Sequence, residues 1–153
     1  MGYQVAYYNT TGSYNTAIGD NALKSNTTAS NNTAVGYQAG FSYTTGGGSG
    51  SSTFVGMQAG YSTTNPFNTF VGYQAGYGVT TGSYNTFIGV GSSSNQGAGY
   101  LVTTGAYNTI VGGYSGNQGG LNITASNNYI VLSDGAGNPR LYYDNSEIGR
   151  AHV

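Results

Sequence analysis

The amino-acid sequence predicts an all-β fold, a parallel β-solenoid (β-roll) of about seven coils of 16–23 residues, on three observations. First, a unit reading Asn-Thr-apolar-[Ile/Val]-Gly, then Tyr-Gln-Ala-Gly-Tyr and Thr-Thr-Gly-Ser-Tyr, recurs along the chain. Second, its length changes fall at corners and leave the Asn-Thr-apolar-[Ile/Val]-Gly core intact, as expected of a solenoid whose loops absorb insertions. Third, frequent Gly, β-branched cores and Thr-Thr-Gly or Asn-Asn punctuation leave no sustained helical period.

The anchor glycines are Gly19, Gly36, Gly56, Gly72, Gly89 and Gly112. Gly2 opens a partial copy and Leu132 ends a degenerate one, so the spacings are 17, 17, 20, 16, 17, 23 and 20 residues. Ahead of each anchor the copies align in columns. A predicted structural ladder comprises Asn15, Asn32, Asn68, Asn85, Asn108 and Asn128, with Ser52 substituting once. Thr16, Thr33, Thr53, Thr69, Thr86 and Thr109 follow it, then an apolar pair running from Ala17-Ile18 and Ala34-Val35 to Ile110-Val111 and Ile130-Val131.

Each coil is expected to carry a short strand around Thr-apolar-[Ile/Val], a Gly corner, a second extended segment through Gln-Ala, and a turn near Thr-Thr-Gly-Ser. Asn and Gly suit the corners because both tolerate positive φ, and stacked Asn side chains can hydrogen-bond from coil to coil. At about 4.8 Å per coil, the anchored steps make a rod of roughly 34 Å. Length changes are expected in two places only: three extra residues within Gly46 to Ser51 and six within Val90 to Gly99. After the second, Tyr100 resumes the column of Tyr7, Phe41, Tyr61 and Tyr77.

Adjacent strand residues point to opposite faces, so the two apolar columns cannot share one interior. One is expected inside the coil and the other against a neighbouring chain, with three chains around an axis as a natural closure. A coil this short encloses few apolar side chains, which favours shared burial. A monomer with one exposed apolar stripe is the alternative.

Composition narrows the function. Only 5% of the chain is charged, Gly, Thr, Asn and Ser make up 80 of 153 residues, and cysteine is absent. Residues 25–133 carry no formal charge and no His. General acids and bases are mostly His, Asp, Glu or Lys, and a nucleophilic Ser or Thr needs one nearby, so the repeats are read as non-enzymatic. A net charge of -1 offers no basic surface to nucleic acid, and no cofactor, thiolate metal site or membrane insertion is expected. The 16 Tyr and 5 Phe argue against disorder.

The segments Asn32-Thr33-Ala34-Val35-Gly36-Tyr37-Gln38-Ala39-Gly40 and Asn68-Thr69-Phe70-Val71-Gly72-Tyr73-Gln74-Ala75-Gly76 resemble the head repeats of YadA-like trimeric autotransporter adhesins and similar repeats in phage tail fibres. The resemblance covers about residues 2–132. It implies a left-handed trimeric β-roll, extracellular on a cell or virion surface, serving in attachment or as a spacer. The coils here depart from the adhesin-head unit by their additional Thr-Thr-Gly-Ser-Tyr corner.

Three regions follow: a repetitive shaft or head over 1–128, a terminal strand or hairpin over 129–146 turning around Gly135 to Asn138, and a non-native tail over 147–153. The tail Ile148-Gly149-Arg150-Ala151-His152-Val153 back-translates to a common sequencing-adapter read. Met1 falls in the [Ile/Val] column, so the chain reads as an internal fragment that starts mid-coil without a signal peptide or cap.

Candidate ligand-contact residues are Tyr61, Tyr77 and Tyr100, as a sugar-stacking face, and Ser94, Asn95 and Gln96, in the longer insertion. Aromatic packing between coils is the competing account of the first set, and loops on a rigid scaffold commonly carry recognition, which favours the second. Thr-Thr pairs such as Thr63-Thr64 and Thr80-Thr81 suggest a monomeric ice-binding or water-ordering solenoid as the alternative function. In an extended segment only one Thr of each pair would face outward. Asp134, Asn138 and Asp144 match no cation-loop spacing, and Asn9, Asn26, Asn31 and Asn122 satisfy a glycosylation sequon that an Asn- and Thr-rich repeat generates by chance.

Overall fold

The computed structural model describes residues 2–44, 50–91 and 96–144, together with the backbone of 148–150. The described chain is all-β, a parallel β-solenoid. Six three-residue strands repeat once per coil: β1 (Thr16–Ile18), β2 (Thr33–Val35), β3 (Thr53–Val55), β4 (Thr69–Val71), β5 (Thr86–Ile88) and β6 (Thr109–Val111). The short pair β7 (Asn117–Gln118) and β8 (Leu121–Asn122) follows, then β9 (Ile130–Ser133), β10 (Pro139–Tyr143) and β11 (Ile148–Arg150). One sheet runs β1-β2-β3-β4-β5-β6-β9-β10-β11, parallel through β9 and antiparallel thereafter.

The strand registers repeat the sequence columns: Ala34 pairs with Phe54, Phe54 with Phe70, and Phe70 with Phe87. The first apolar column points inward, with Ala34, Phe54, Phe70, Phe87, Ile110 and Val131 fully buried. Its side chains interlock with the column that Leu23, Gly40, Gly60, Gly76 and Gly99 form across the interior. Leu23 accompanies Ala17 in the first coil, whereas glycine accompanies Phe in the coils of Phe54, Phe70 and Phe87. A Cβ on Gly40 would stand 2.6 Å from Phe54 Cδ2 and 3.0 Å from Leu23 Cδ2, so large and small residues alternate to fill one narrow core.

The Gln-Ala segment departs from expectation. It is not extended but makes two successive turns, Gly36 O accepting from Ala39 N at 3.2 Å and Gly40 O from Tyr43 N at 3.1 Å. Gln38, Gln58 and Gln74 sit at φ 54°, 56° and 51°, the conformation a type II turn requires at its third residue. Their amides then form their own ladder, Gln58 Nε2 donating to Gln38 Oε1 at 2.9 Å and Gln74 Nε2 to Gln58 Oε1 at 2.8 Å.

The last coil is shifted by one residue from the sequence alignment. Thr109 pairs with Ile130, Ile110 with Val131 and Val111 with Leu132, so Tyr129 rather than Asn128 follows Asn108 in the ladder. Val131 is thereby buried and Ile130 exposed. Asn128 instead takes φ 65° in the corner column of Tyr84 and Tyr107. A one-residue slip exchanges inward and outward faces, and here inward burial of Val131 selects the register.

A third length change also appears, since the β7–β8 hairpin lengthens the coil after β6. Beyond β9 the chain turns through Asp134 to Asn138 into antiparallel β10, and β11 adds to its far edge. Ile148–Arg150, expected in the tail, thus belong to the sheet, while 151–153 lie outside the described residues.

Candidate functional site

The surface is built by the same alternation that builds the core. In each strand the residues flanking the inward one face outward, placing a Thr row beside an apolar row of Ile18, Val35, Val55, Val71, Ile88, Val111 and Leu132. Ile18, Ile88, Val111 and Leu132 are exposed and the three valines between them half-buried. This uncharged stripe runs the length of the parallel sheet.

Two aromatic ladders flank the coils at their corners. Phe41, Tyr61, Tyr77 and Tyr100 stack with ring centroids 5.0 Å apart at each step and interplanar angles of 9°, 8° and 11°. Lys24 takes the next place down the column, its Nζ 5.6 Å from the Phe41 centroid, so a cation rather than Tyr7 closes this end. Both faces of Tyr61 and Tyr77 are covered by neighbouring rings, and one face of Tyr100 is covered by Tyr77. That arrangement favours the packing account of this column over sugar stacking, which needs a free face.

The second ladder, Phe67, Tyr84 and Tyr107, was not singled out from the sequence. Its centroids are 4.9 Å apart at both steps, with interplanar angles of 16° and 3°. These residues hold φ 64°, 60° and 60°, as the corner turns into the strand. The available signal was the Tyr or Phe immediately before Asn15, Asn68, Asn85 and Asn108.

Of the other predicted contact residues, Ser94 and Asn95 lie outside the described residues. Gln96 is half-buried, and its carbonyl accepts from Gly91 N at 3.0 Å. The next residue, Gly97, lies over the backbone of Tyr73 to Ala75, and its carbonyl accepts from Tyr100 N at 3.1 Å. The structure therefore stacks Tyr61, Tyr77 and Tyr100 on one another, with Gln96 in the same coil as Tyr100 but outside the stack.

Of the predicted ladder asparagines, Asn32, Asn68, Asn85 and Asn108 are buried and Asn15 half-buried, and these five cross-link successive coils, whereas Asn128 is exposed and outside the ladder. Asn15 Oδ1 accepts from Asn32 N at 2.9 Å, Asn32 Oδ1 from Ser52 N at 3.0 Å, and Asn68 Oδ1 from Asn85 N at 3.0 Å. Ser52 Oγ keeps the series going by accepting from Asn68 N at 3.2 Å. At the C-terminal end Asn108 Oδ1 accepts from Tyr129 N at 2.9 Å.

Some Thr pairs depart from the one-outward expectation, whereas Thr63-Thr64, with Thr63 buried, keeps it. Thr80 and Thr81 are both exposed, as are Thr103 and Thr104. The stacked member of the pair uses its hydroxyl internally: Thr64 Oγ1 donates to Thr80 O at 3.0 Å and Thr103 Oγ1 to Thr124 O at 3.0 Å. Thr63 is buried, in the inner column of Val79 and Val102.

Charge is confined to the ends of the described rod, Asp20 and Lys24 at one and Asp134, Arg140 and Asp144 at the other. The Asn138 backbone N–H and side-chain amide, and then Arg140, hold the Asp134 carboxyl down to about 2. Burial pushes the Tyr114 phenol up, and its hydroxyl donates to Leu121 O at 2.8 Å. Among the described residues no group of three or more His, Cys, Asp or Glu could hold a metal ion, and no helix is long and apolar enough to cross a membrane.

No protein-family model, curated protein or solved structure matches this chain.

Proposed function

We propose that this chain is a structural and adhesive segment of an extracellular surface fibre, an adhesin head or phage tail-fibre shaft, with no enzymatic activity. The observation that carries the reading is the uncharged apolar row from Ile18 to Leu132 on the outer face of the parallel sheet. Such a continuous stripe is covered at low cost by identical stripes related by a rotation axis, and a homotrimer is the assembly put forward. The Asn, Gln and aromatic ladders supply rigidity to a spacer, and the insertion between Val90 and Gly99 supplies the contact with a surface glycan or protein receptor.

Light scattering on the purified protein, with far-ultraviolet circular dichroism, tests this assembly. The expected species is β-rich with a mass near three times 15.7 kDa. Ile88→Lys should reduce it to a folded monomer. A well-folded wild-type monomer overturns the trimer.

A monomeric ice-binding solenoid is the second reading. The regular outward Thr row from Thr16 to Thr109 beside the apolar row favours it. Thermal hysteresis by the wild-type protein, lost in Thr69→Tyr, supports that reading, and inactivity removes it.

A further inference from the structure

Cysteine is absent from the chain and Tyr occurs 16 times, so phenols rather than thiols are its means of oxidative cross-linking. Among the stacked pairs, Tyr84 and Tyr107 are the closest to parallel, with centroids 4.9 Å apart and an interplanar angle of 3°. They are also the most open, at 49% and 57% exposure, whereas Tyr61, Tyr77 and Tyr100 are half-buried. Exposed side chains change rotamer within nanoseconds, so these two rings can turn from face-to-face stacking to bring their ortho carbons together.

We propose that Tyr84 and Tyr107 are a dityrosine-forming site that staples one coil to the next under a one-electron oxidant of the haem-peroxidase and hydrogen-peroxide class. Each phenol loses one electron and one proton, giving two phenoxyl radicals. A carbon–carbon bond forms between the carbons ortho to the two oxygens, and the ring hydrogens move to oxygen to restore both phenols. Two hydrogens leave the protein in total, and one hydrogen peroxide is reduced to two waters. Stacking supplies proximity, because the second radical is generated beside the first rather than found by diffusion. No acidic or basic side chain lies within residues 25–133, so no charged group of this segment competes for the phenol hydroxyls. The inference is independent of the fibre reading.

The test treats the folded full chain with horseradish-type peroxidase and limiting hydrogen peroxide, then maps peptides by mass spectrometry. The expected main product runs at single-chain mass under denaturing conditions, lacks two hydrogens, and joins the peptides carrying Tyr84 and Tyr107. Tyr84→Phe and Tyr107→Phe should each abolish it while leaving the circular dichroism unchanged, since Phe67 already occupies this column. Tyr61→Phe should leave the yield intact. In urea the selectivity for this pair should vanish. No cross-link, cross-links only between chains or at other tyrosines, survival of the product in Tyr107→Phe, or equal yield from the urea-unfolded chain overturns the proposal.

Discussion

Asn85 clamps the coil that contains Asn108. Its Oδ1 accepts the Asn108 backbone N–H at 2.9 Å, while its Nδ2 donates to Gly105 O at 2.8 Å, three residues earlier in the same coil. Both contacts lie in the interior, where water cannot replace them, and Asn108 repeats the pair on Tyr129 N and Ser126 O. One amide side chain thus satisfies two main-chain groups that the corner would otherwise bury unpaired.

Asn85→Ala should therefore cost about 2–4 kcal/mol, because it strands a buried donor and a buried acceptor of the next coil. Asn128→Ala, on the exposed corner column at φ 65°, should cost only about 1 kcal/mol, from placing Ala in the left-handed region. Chemical denaturation of the two variants checks both the magnitude and the register, and equal costs would contradict the assignment of Tyr129 to the ladder.

The anchor glycines are required for two reasons at once. Gly72 has φ 132°, and a Cβ there would lie 2.5 Å from the carbonyl oxygen of Gly89. Gly72→Ala should destabilise by at least ~2 kcal/mol through backbone strain and coil separation. Gly135, whose Cβ would meet nothing within 4 Å, is the control, and Gly135→Ala should leave the melting temperature essentially unchanged.

Phe70 and Gly76 form a size-matched pair, a Cβ on Gly76 reaching within 2.5 Å of Phe70 Cδ2. Phe70→Ala alone should cost about 3–5 kcal/mol. Gly76→Leu alone should also destabilise, by overpacking against the ring. Together they recreate the pairing of Ala17 with Leu23, whose φ of 49° shows that Leu is accommodated at this turn position. A double-mutant cycle should give a favourable coupling of about 1–3 kcal/mol, and strict additivity would refute the complementarity.

The turn between β9 and β10 should be acid-labile. Asp134 titrates near 2 in the folded chain against 3.8 unperturbed, so its contribution is complete above about pH 4 and is lost as the pH falls through 2. Amide chemical shifts of Gly137 and Asn138, which donate to Asp134, should move with a midpoint near 2. Asp134→Asn should flatten that titration, and a wild-type midpoint at 3.8 would show that the turn does not favour the carboxylate.

The solenoid was legible because its cause is repeated. Asn or Ser, Thr, an apolar pair and Gly return in each coil from Asn15 to Gly112, and each copy faces the same neighbours, so the columns in the sequence become columns in space. The aromatic column of Phe41, Tyr61, Tyr77 and Tyr100 was visible for that reason. The ladder of Phe67, Tyr84 and Tyr107 was less so, because Asn31 and Ser51 interrupt its column towards Tyr14.

By itself the sequence determined the fold class, the strand positions, the split of the two apolar columns between inside and outside, and the confinement of charge to the ends. These follow from local alternation and from which residues tolerate a corner. Only the tertiary structure decided the register of the last coil and the path of the Gln-Ala segment. Ile130-Val131 and Val131-Leu132 are equally acceptable as apolar pairs, so the choice rests on which side chain fills the space above Ile110. The Gln turns likewise close only when the coil above and the coil below supply their hydrogen-bond partners, as Tyr37 O does for Gln58 N. Both depend on contacts between residues distant in sequence.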